Sequence, residues 1–179
     1  MAGQTWESES VAYLVPRPAG RGDAWAEEAS RGGGRGMQRL LEVRELVPPE
    51  DVGVALGLET GECAVVRRRV MYLDERPVEL TDSYYPATVA RGTRLAEARK
   101  IPGGAVTFVA ELGHAIREVV EDVAVDLPAP EARDVLQLAA GEPVLVLTRT
   151  SMTADLLPVE VSRMVMPRGH RLRYRTRVG

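Results

Sequence analysis

Leu56-Gly57-Leu58-Glu59-Thr60-Gly61-Glu62 is echoed eighty residues on by Leu136-Gln137-Leu138-Ala139-Ala140-Gly141-Glu142. Each copy runs on into a β-rich stretch, Val65 to Leu73 or Val144 to Met152, and then a polar turn. Pro77-Val78-Glu79-Leu80 follows in the first copy and Pro158-Val159-Glu160-Val161 in the second, with Pro86 and Pro167 each nine residues further along. Ahead of each copy stand residue types suited to the opening turn of a helix: Pro49, Glu50 and Asp51, then Pro130 and Glu131. Apolar stripes at helical spacing follow them, Val52, Ala55 and Leu56 in one copy and Ala132, Val135 and Leu136 in the other. The repeat predicts a duplicated α-β-β unit.

Outward from the two copies, Leu40 to Val47 and Leu172 to Val178 read as a strand at each end. Between the copies, Ile101-Pro102-Gly103-Gly104 is a loop of the kind that serves as a hinge. Ala105 to Leu112 is a helix that Gly113 ends through a left-handed cap, and Ala115 to Leu127 is a valine-rich strand. Val119, Glu121, Val123 and Val125 share one side of that strand, which predicts a core face with one carboxylate at its margin. The sum is an α+β domain: one antiparallel sheet of about six or seven strands, built from two related α-β-β units, with helices packed on it. Residues 1–36 carry linker chemistry, with Pro16, Pro18 and Gly32-Gly33-Gly34, and are expected to form a peripheral arm. Asp23 is placed to cap a short helix there, through Trp25 and Ala29. The folded domain is expected over 37–179.

Composition limits the function. The 179 residues suffice for one core, and 45% hydrophobic with 27% charged residues is an ordinary globular balance. A net charge of −3 gives the chain no electrostatic hold on a phosphate backbone, so direct nucleic-acid binding is not expected. Cys63 stands alone, which excludes an intrachain disulfide and a four-cysteine zinc site. Neither a metal nor a cofactor is expected. No signal peptide or membrane-length apolar run is present, and a cytoplasmic location is expected.

Several landmarks, in this order, resemble the UTRA family. They are the apolar-Gly-Leu helix end with its Gly-Glu, the strand carrying Arg67-Arg68-Arg69, the Pro77-Val78-Glu79-Leu80 strand running to Ser83-Tyr84-Tyr85-Pro86, and the closing Pro158-Val159-Glu160-Val161-Ser162. The resemblance covers roughly residues 23–179. It implies a chorismate-lyase-like fold, a homodimer and a small-molecule effector, as in GntR/HutC-type bacterial regulators, where the domain acts on an attached winged helix-turn-helix. Thirty-six residues precede the repeat, too few for such a DNA-binding domain, so the chain reads either as a stand-alone sensor or as a piece of a longer regulator.

Strand periodicity selects the candidate site. Arg67 and Arg69 share a face, and a hairpin turning through Asp74, Glu75 and Arg76 sets Arg69 near Thr81 and Arg67 near Ser83. Glu79 and Tyr85 join that face. The second hairpin adds Arg149, Glu160 and Ser162, continued by Met164 and Met166, and Glu121 needs an arginine partner, either Arg69 or Arg149. The expected ligand-binding set is thus Arg67, Arg69, Thr81, Ser83, Tyr85, Glu121, Arg149, Glu160 and Ser162. By the resemblance, binders of phosphorylated sugars place two arginines where this chain has Arg69 and Met71, which implies a less anionic ligand unless Arg67 substitutes. Two functions follow: an effector sensor, or a cofactor-independent lyase or cyclase resting on Arg69, Tyr85 and Glu160. His114 and His170 are weaker candidates for acid-base work.

Overall fold

The structure, a computed structural model, describes residues 6–8, 10–18 and 24–175. Six strands form one antiparallel sheet in the spatial order β2 (Gly36–Leu46), β3 (Ala64–Leu73), β4 (Arg76–Pro86), β7 (Pro158–Met166), β6 (Val144–Met152) and β5 (Glu118–Asp126). The two repeated hairpins meet at its centre, where β4 pairs with β7. The α+β class and the strand number agree with the reading of the sequence.

The repeated motif has a physical reason. Helix α2 (Glu50–Ala55) and helix α5 (Pro130–Val135) both end in a left-handed residue, Gly57 at φ 67° and Gln137 at φ 56°. Leu58 N–H then reaches back to the Gly53 carbonyl, and Leu138 N–H to that of Arg133, each at 2.9 Å. Four residues on, Gly61 and Gly141 are again left-handed. The glutamate after each glycine folds back, so that Glu62 Oε2 accepts from Glu59 N–H at 2.8 Å and Glu142 Oε2 from Ala139 N–H at 3.1 Å. Gly-Glu is therefore a turn with its own carboxylate cap, made twice.

Both short helices pack on one face of the sheet. Val52 and Leu56 meet Val66, Tyr84 and Val161, while Ala132 and Leu136 meet Leu80 and Val165. Arg68 holds this side together, forking onto Asp82 with two 2.7 Å hydrogen bonds and reaching Glu131 on α5 at 2.6 Å. On the other face, Val65, Tyr85 and Val159 pack under Leu95, Ile101, Phe108 and Val109, the last two from α4 (Ala105–Glu111).

The ends of the chain depart from expectation. The C-terminal strand is β8 (His170–Leu172), and it pairs in parallel with β1 (Trp6–Ser8) as a separate two-stranded sheet. The strand expected over Leu172 to Val178 is thus shorter and outside the main sheet; residues 173–175 are not strand, and 176–179 lie outside the described residues. The N-terminal segment is also more than a peripheral arm. Helix α1 (Ala24–Arg31) buries Trp25 and Ala29 against Leu73, and Trp25 Nε1 donates to the Tyr72 carbonyl at 3.0 Å. Gly36 permits this close approach, since a Cβ there would stand 2.8 Å from that of Ala29. The expected Asp23 cap lies outside the described residues. Finally, β5 is the last strand of the sheet, and Val123 and Val125 are 47% and 72% exposed rather than core.

Arg67 is likewise not where a ligand would meet it. It is 3% exposed, and its guanidinium donates to the backbone carbonyls of Leu95 (2.7 Å), Glu97 (2.8 Å) and Arg99 (2.7 Å). These carbonyls belong to the segment that crosses from α3 (Ala87–Ala90) toward α4, and the five N–H groups of an arginine suit such a cluster. Replacing Arg67 with methionine should leave the Leu95 and Arg99 carbonyls without their donor, while Glu97 keeps the Arg99 N–H, and lower the unfolding free energy by about 3 kcal/mol, measured by urea denaturation. A loss under about 1 kcal/mol would show the clamp to be dispensable.

Candidate functional site

Register lines the polar side chains up in rows across the sheet. One row runs Arg67, Ser83, Ser162, Arg149, Glu121 through β3, β4, β7, β6 and β5. The next runs Arg69, Thr81, Met164, Leu147, Val123. The hairpin that sets the first register turns tightly, with Asp74 at φ 48° and Glu75 at φ 71°, as a two-residue connection between twisted strands requires. The expected pairings of Arg69 with Thr81 and Arg67 with Ser83 are both present.

Above these rows lies a cavity of about 340 Å³, lined by Arg69, Thr81, Arg149, Glu160 and Ser162 among the expected residues. That volume lies in the range of small-molecule sites. Glu79 joins them, and Leu147, Met164 and Met166 make the other end of the floor apolar.

Ser83 and Tyr85 lie beneath this floor, both 0% exposed, and support it. A continuous chain of hydrogen bonds results. Arg69 Nη2 donates to Ser83 Oγ at 2.9 Å, Ser83 Oγ and Ser162 Oγ are 2.8 Å apart, and Ser162 Oγ donates to Glu160 Oε1 at 2.8 Å. Tyr85 OH donates to the same oxygen at 2.9 Å. Burial, and after it the Glu160 charge, push the Tyr85 phenol well above its ordinary pKa, so it stays a proton donor to Glu160. Glu121 sits behind Arg149, which donates to it at 2.6 Å; of the two arginine partners weighed for it, Arg149 is the one. Burial alone would raise the Glu121 pKa, but the Ser10 hydroxyl and the Arg149 charge outweigh it and hold the carboxyl below its usual value. For Glu79 burial wins, and its pKa is raised despite a 2.5 Å hydrogen bond from Thr81.

The walls were not legible as site residues. Tyr13, Leu14, Val15 and Arg17 line the cavity from the N-terminal segment, together with Trp25. Arg17 N–H donates to Thr107 Oγ1 at 2.9 Å, which ties that segment to α4. Gly103 and Gly104, read as a hinge, contribute the adjoining wall. Linker-like composition concealed these contacts; Trp25 and the apolar run Val11 to Val15 were the signals that the segment docks. His114 lies outside the cavity lining, whereas His170 on β8 is part of it. Among the described residues no three His, Cys, Asp or Glu side chains gather as a metal would need, and no helix is long and apolar enough to cross a membrane.

His170 is held neutral by burial, which lowers its pKa from 6.5 to about 4. Between these values the unfolded chain takes up a proton that the folded chain refuses. The stability tied to a neutral His170 is therefore full above pH 6.5 and is lost as pH falls toward about 4. Over that window the unfolding free energy of the wild type should fall more steeply than that of His170→Gln, by up to about 1.4 kcal/mol per pH unit. Parallel slopes in urea titrations would contradict a buried, neutral imidazole.

The comparisons with known proteins agree with this geometry. The family model described as "UTRA domain" matches residues 33–171. An HTH-type transcriptional regulator of Streptomyces coelicolor is 33% identical over 112 residues, which are 61% of this chain and 42% of that protein. Another, from Mycobacterium tuberculosis, is 31% identical over 115 residues, 63% of this chain and again 42% of the relative. The matched region thus spans less than half the length of either relative. Among solved structures, the ligand-binding domain of a GntR-family regulator from Bordetella bronchiseptica superposes with a TM-score of 0.68 at 29% identity, covering 92% of this chain and 95% of that one. The effector domain of PhnF from Mycobacterium smegmatis gives 0.73 at 22% identity, covering 92% and 100%, a likeness of fold. The lyase or cyclase alternative finds no support in these relatives, and Tyr85, one of its three expected residues, is sealed under the floor. Fold, duplicated hairpins and matched sequence lead to one conclusion: the chain belongs to the UTRA family, homologous to the effector domains of GntR-family transcriptional regulators.

Proposed function

We propose that the chain is the effector-sensing part of a HutC-type GntR regulator, binding one small molecule in the cavity over β3, β4, β7 and β6. The observation that carries this reading is the cavity itself, whose polar floor is contributed by both hairpins and whose wall is the N-terminal segment Ser10–Arg17. In a longer regulator a DNA-binding domain would precede that segment. A ligand touching both floor and segment would then change the mechanical connection between sensor and DNA reader. Differential contact of this kind is what lets a ligand shift a conformational equilibrium. The likeness in fold to the C-terminal domain of the histidine utilization repressor of Pseudomonas syringae is in keeping with the HutC grouping.

A metabolite panel read by thermal shift tests the assignment. A true effector at about 100 times its dissociation constant should add about 2.7 kcal/mol of stability, and Arg69→Met should abolish the response. A panel that leaves the melting temperature unmoved would sink the proposal.

Sensors of this type act in pairs, and β5 supports a homodimer formed through that strand. The opposite edge, β2, carries Arg39, Glu42, Arg44 and Glu45, charges that discourage edge-to-edge pairing. β5 exposes Val120, Val123 and Val125 between Glu118, Asp122 and Asp126, with Leu127 just beyond it. Its unpaired backbone edge suits antiparallel addition of a second copy about a two-fold axis, which makes the same patch meet itself. Sedimentation equilibrium should show a dimer for the wild type and a monomer for the double variant Val123→Lys, Val125→Lys. A dimer in both would place the interface elsewhere.

A further inference from the structure

The ionisable groups that line the cavity cancel. Arg149 is paired with Glu121 at 2.6 Å, and Arg17 lies 2.5 Å from Glu27. Lys100 is exposed to solvent at the rim, where its charge is screened. Burial keeps His170 uncharged at neutral pH, and Glu79, whose pKa burial raises, accepts from Thr81 Oγ1 at 2.5 Å. On the floor one cation, Arg69, and one anion, Glu160, are joined through Ser83 and Ser162.

Each of these two keeps hydrogen-bonding capacity in reserve. Arg69 spends Nη2 on Ser83, while its Nη1 makes no hydrogen bond to a described residue. Glu160 accepts from both Tyr85 and Ser162 on Oε1, and no described residue donates to Oε2. Beside this donor and this acceptor the floor turns apolar at Leu147, Met164 and Met166. A hydrogen bond made inside a cavity, away from bulk water, is electrostatically stronger than the same contact in water.

A phosphate monoester would face Glu160 with no unpaired second cation to balance it. An amine would face Arg69 and Arg149. In either case a net charge loses its hydration without a counter-charge to replace it. We propose that the cavity selects a molecule without net charge: an apolar body ended by a group that accepts from the Arg69 guanidinium and donates to Glu160, of which a primary carboxamide is the simplest. This rests on the effector reading and names the ligand class for the same site.

Four probes that share one apolar body test it: phenylbutyramide, phenylbutyrate, phenylbutylamine and phenylbutyl phosphate. Equilibrium dialysis at neutral pH, at the millimolar concentrations that such small ligands call for, ranks them. The amide should bind about tenfold more tightly than any charged member. Glu160→Gln keeps the shape and the acceptor for Tyr85 but removes the negative charge, so it should bring phenylbutyrate up to or above the amide. Arg69→Met should instead favour the amine, and melting curves of both variants report that they are folded. A charged probe that binds the wild type best overturns the ligand class and leaves the effector reading standing. An unchanged ranking in folded Glu160→Gln overturns the role given to Glu160. Failure of every probe to bind the wild type overturns the effector reading, and the ligand class with it.

Discussion

Arginine and glutamate side chains lie in the middle of a sheet whose neighbours are valines, and the fold is arranged around keeping those charges satisfied. The chain from Arg69 through Ser83 and Ser162 to Glu160, with Tyr85 closing it, spans three strands from two separate hairpins. A buried carboxylate or guanidinium without partners costs several kcal/mol. The network therefore holds only if β4 and β7 pair in one register, because a slip of one residue would turn every member to the opposite face. The central pairing of the two repeats and the polar floor of the cavity are one constraint seen from two sides.

The duplication explains why such a floor arises at the join. Each α-β-β unit has a hairpin with one polar stripe and a helix that covers the other face. Side by side, the two stripes become one surface, while α2 and α5 seal the back with Val52, Leu56, Ala132 and Leu136. The front is left for α4, the crossing segment and the N-terminal segment. The two short helices thus close one face of the sheet, and the cavity lies on the other beside the core under α4.

Much of this was legible in the sequence, and the limits of legibility have physical causes. Period-two alternation placed Arg69, Thr81, Arg149, Glu160 and Ser162 on the cavity face, because strand geometry leaves a side chain only two directions. Periodicity says nothing about what a side chain reaches above the sheet. Arg67 shares the face of Arg69, yet it meets the carbonyls of Leu95, Glu97 and Arg99, which are fixed by a tertiary crossing with no sequence signature. For the same reason Ser83 and Tyr85 stood in the right direction at the wrong depth. β5 misled in the opposite way: its valines carry the pattern of a core strand, but spatial order puts it at an edge. Both termini were misplaced because parallel pairing of β1 with β8 joins residues at opposite ends of the chain.

The Arg67 clamp has a consequence for how this wall of the cavity can diverge. Its guanidinium reads only main-chain oxygens along 94–99, an attribute every residue type shares. Changes at the exposed Ala96, Ala98 and Arg99 therefore leave the path over the sheet unaltered, so long as Leu95 stays in the core. A lineage carrying this clamp is free to vary those outward side chains, and with them the outer surface, without rebuilding the frame that holds the segment.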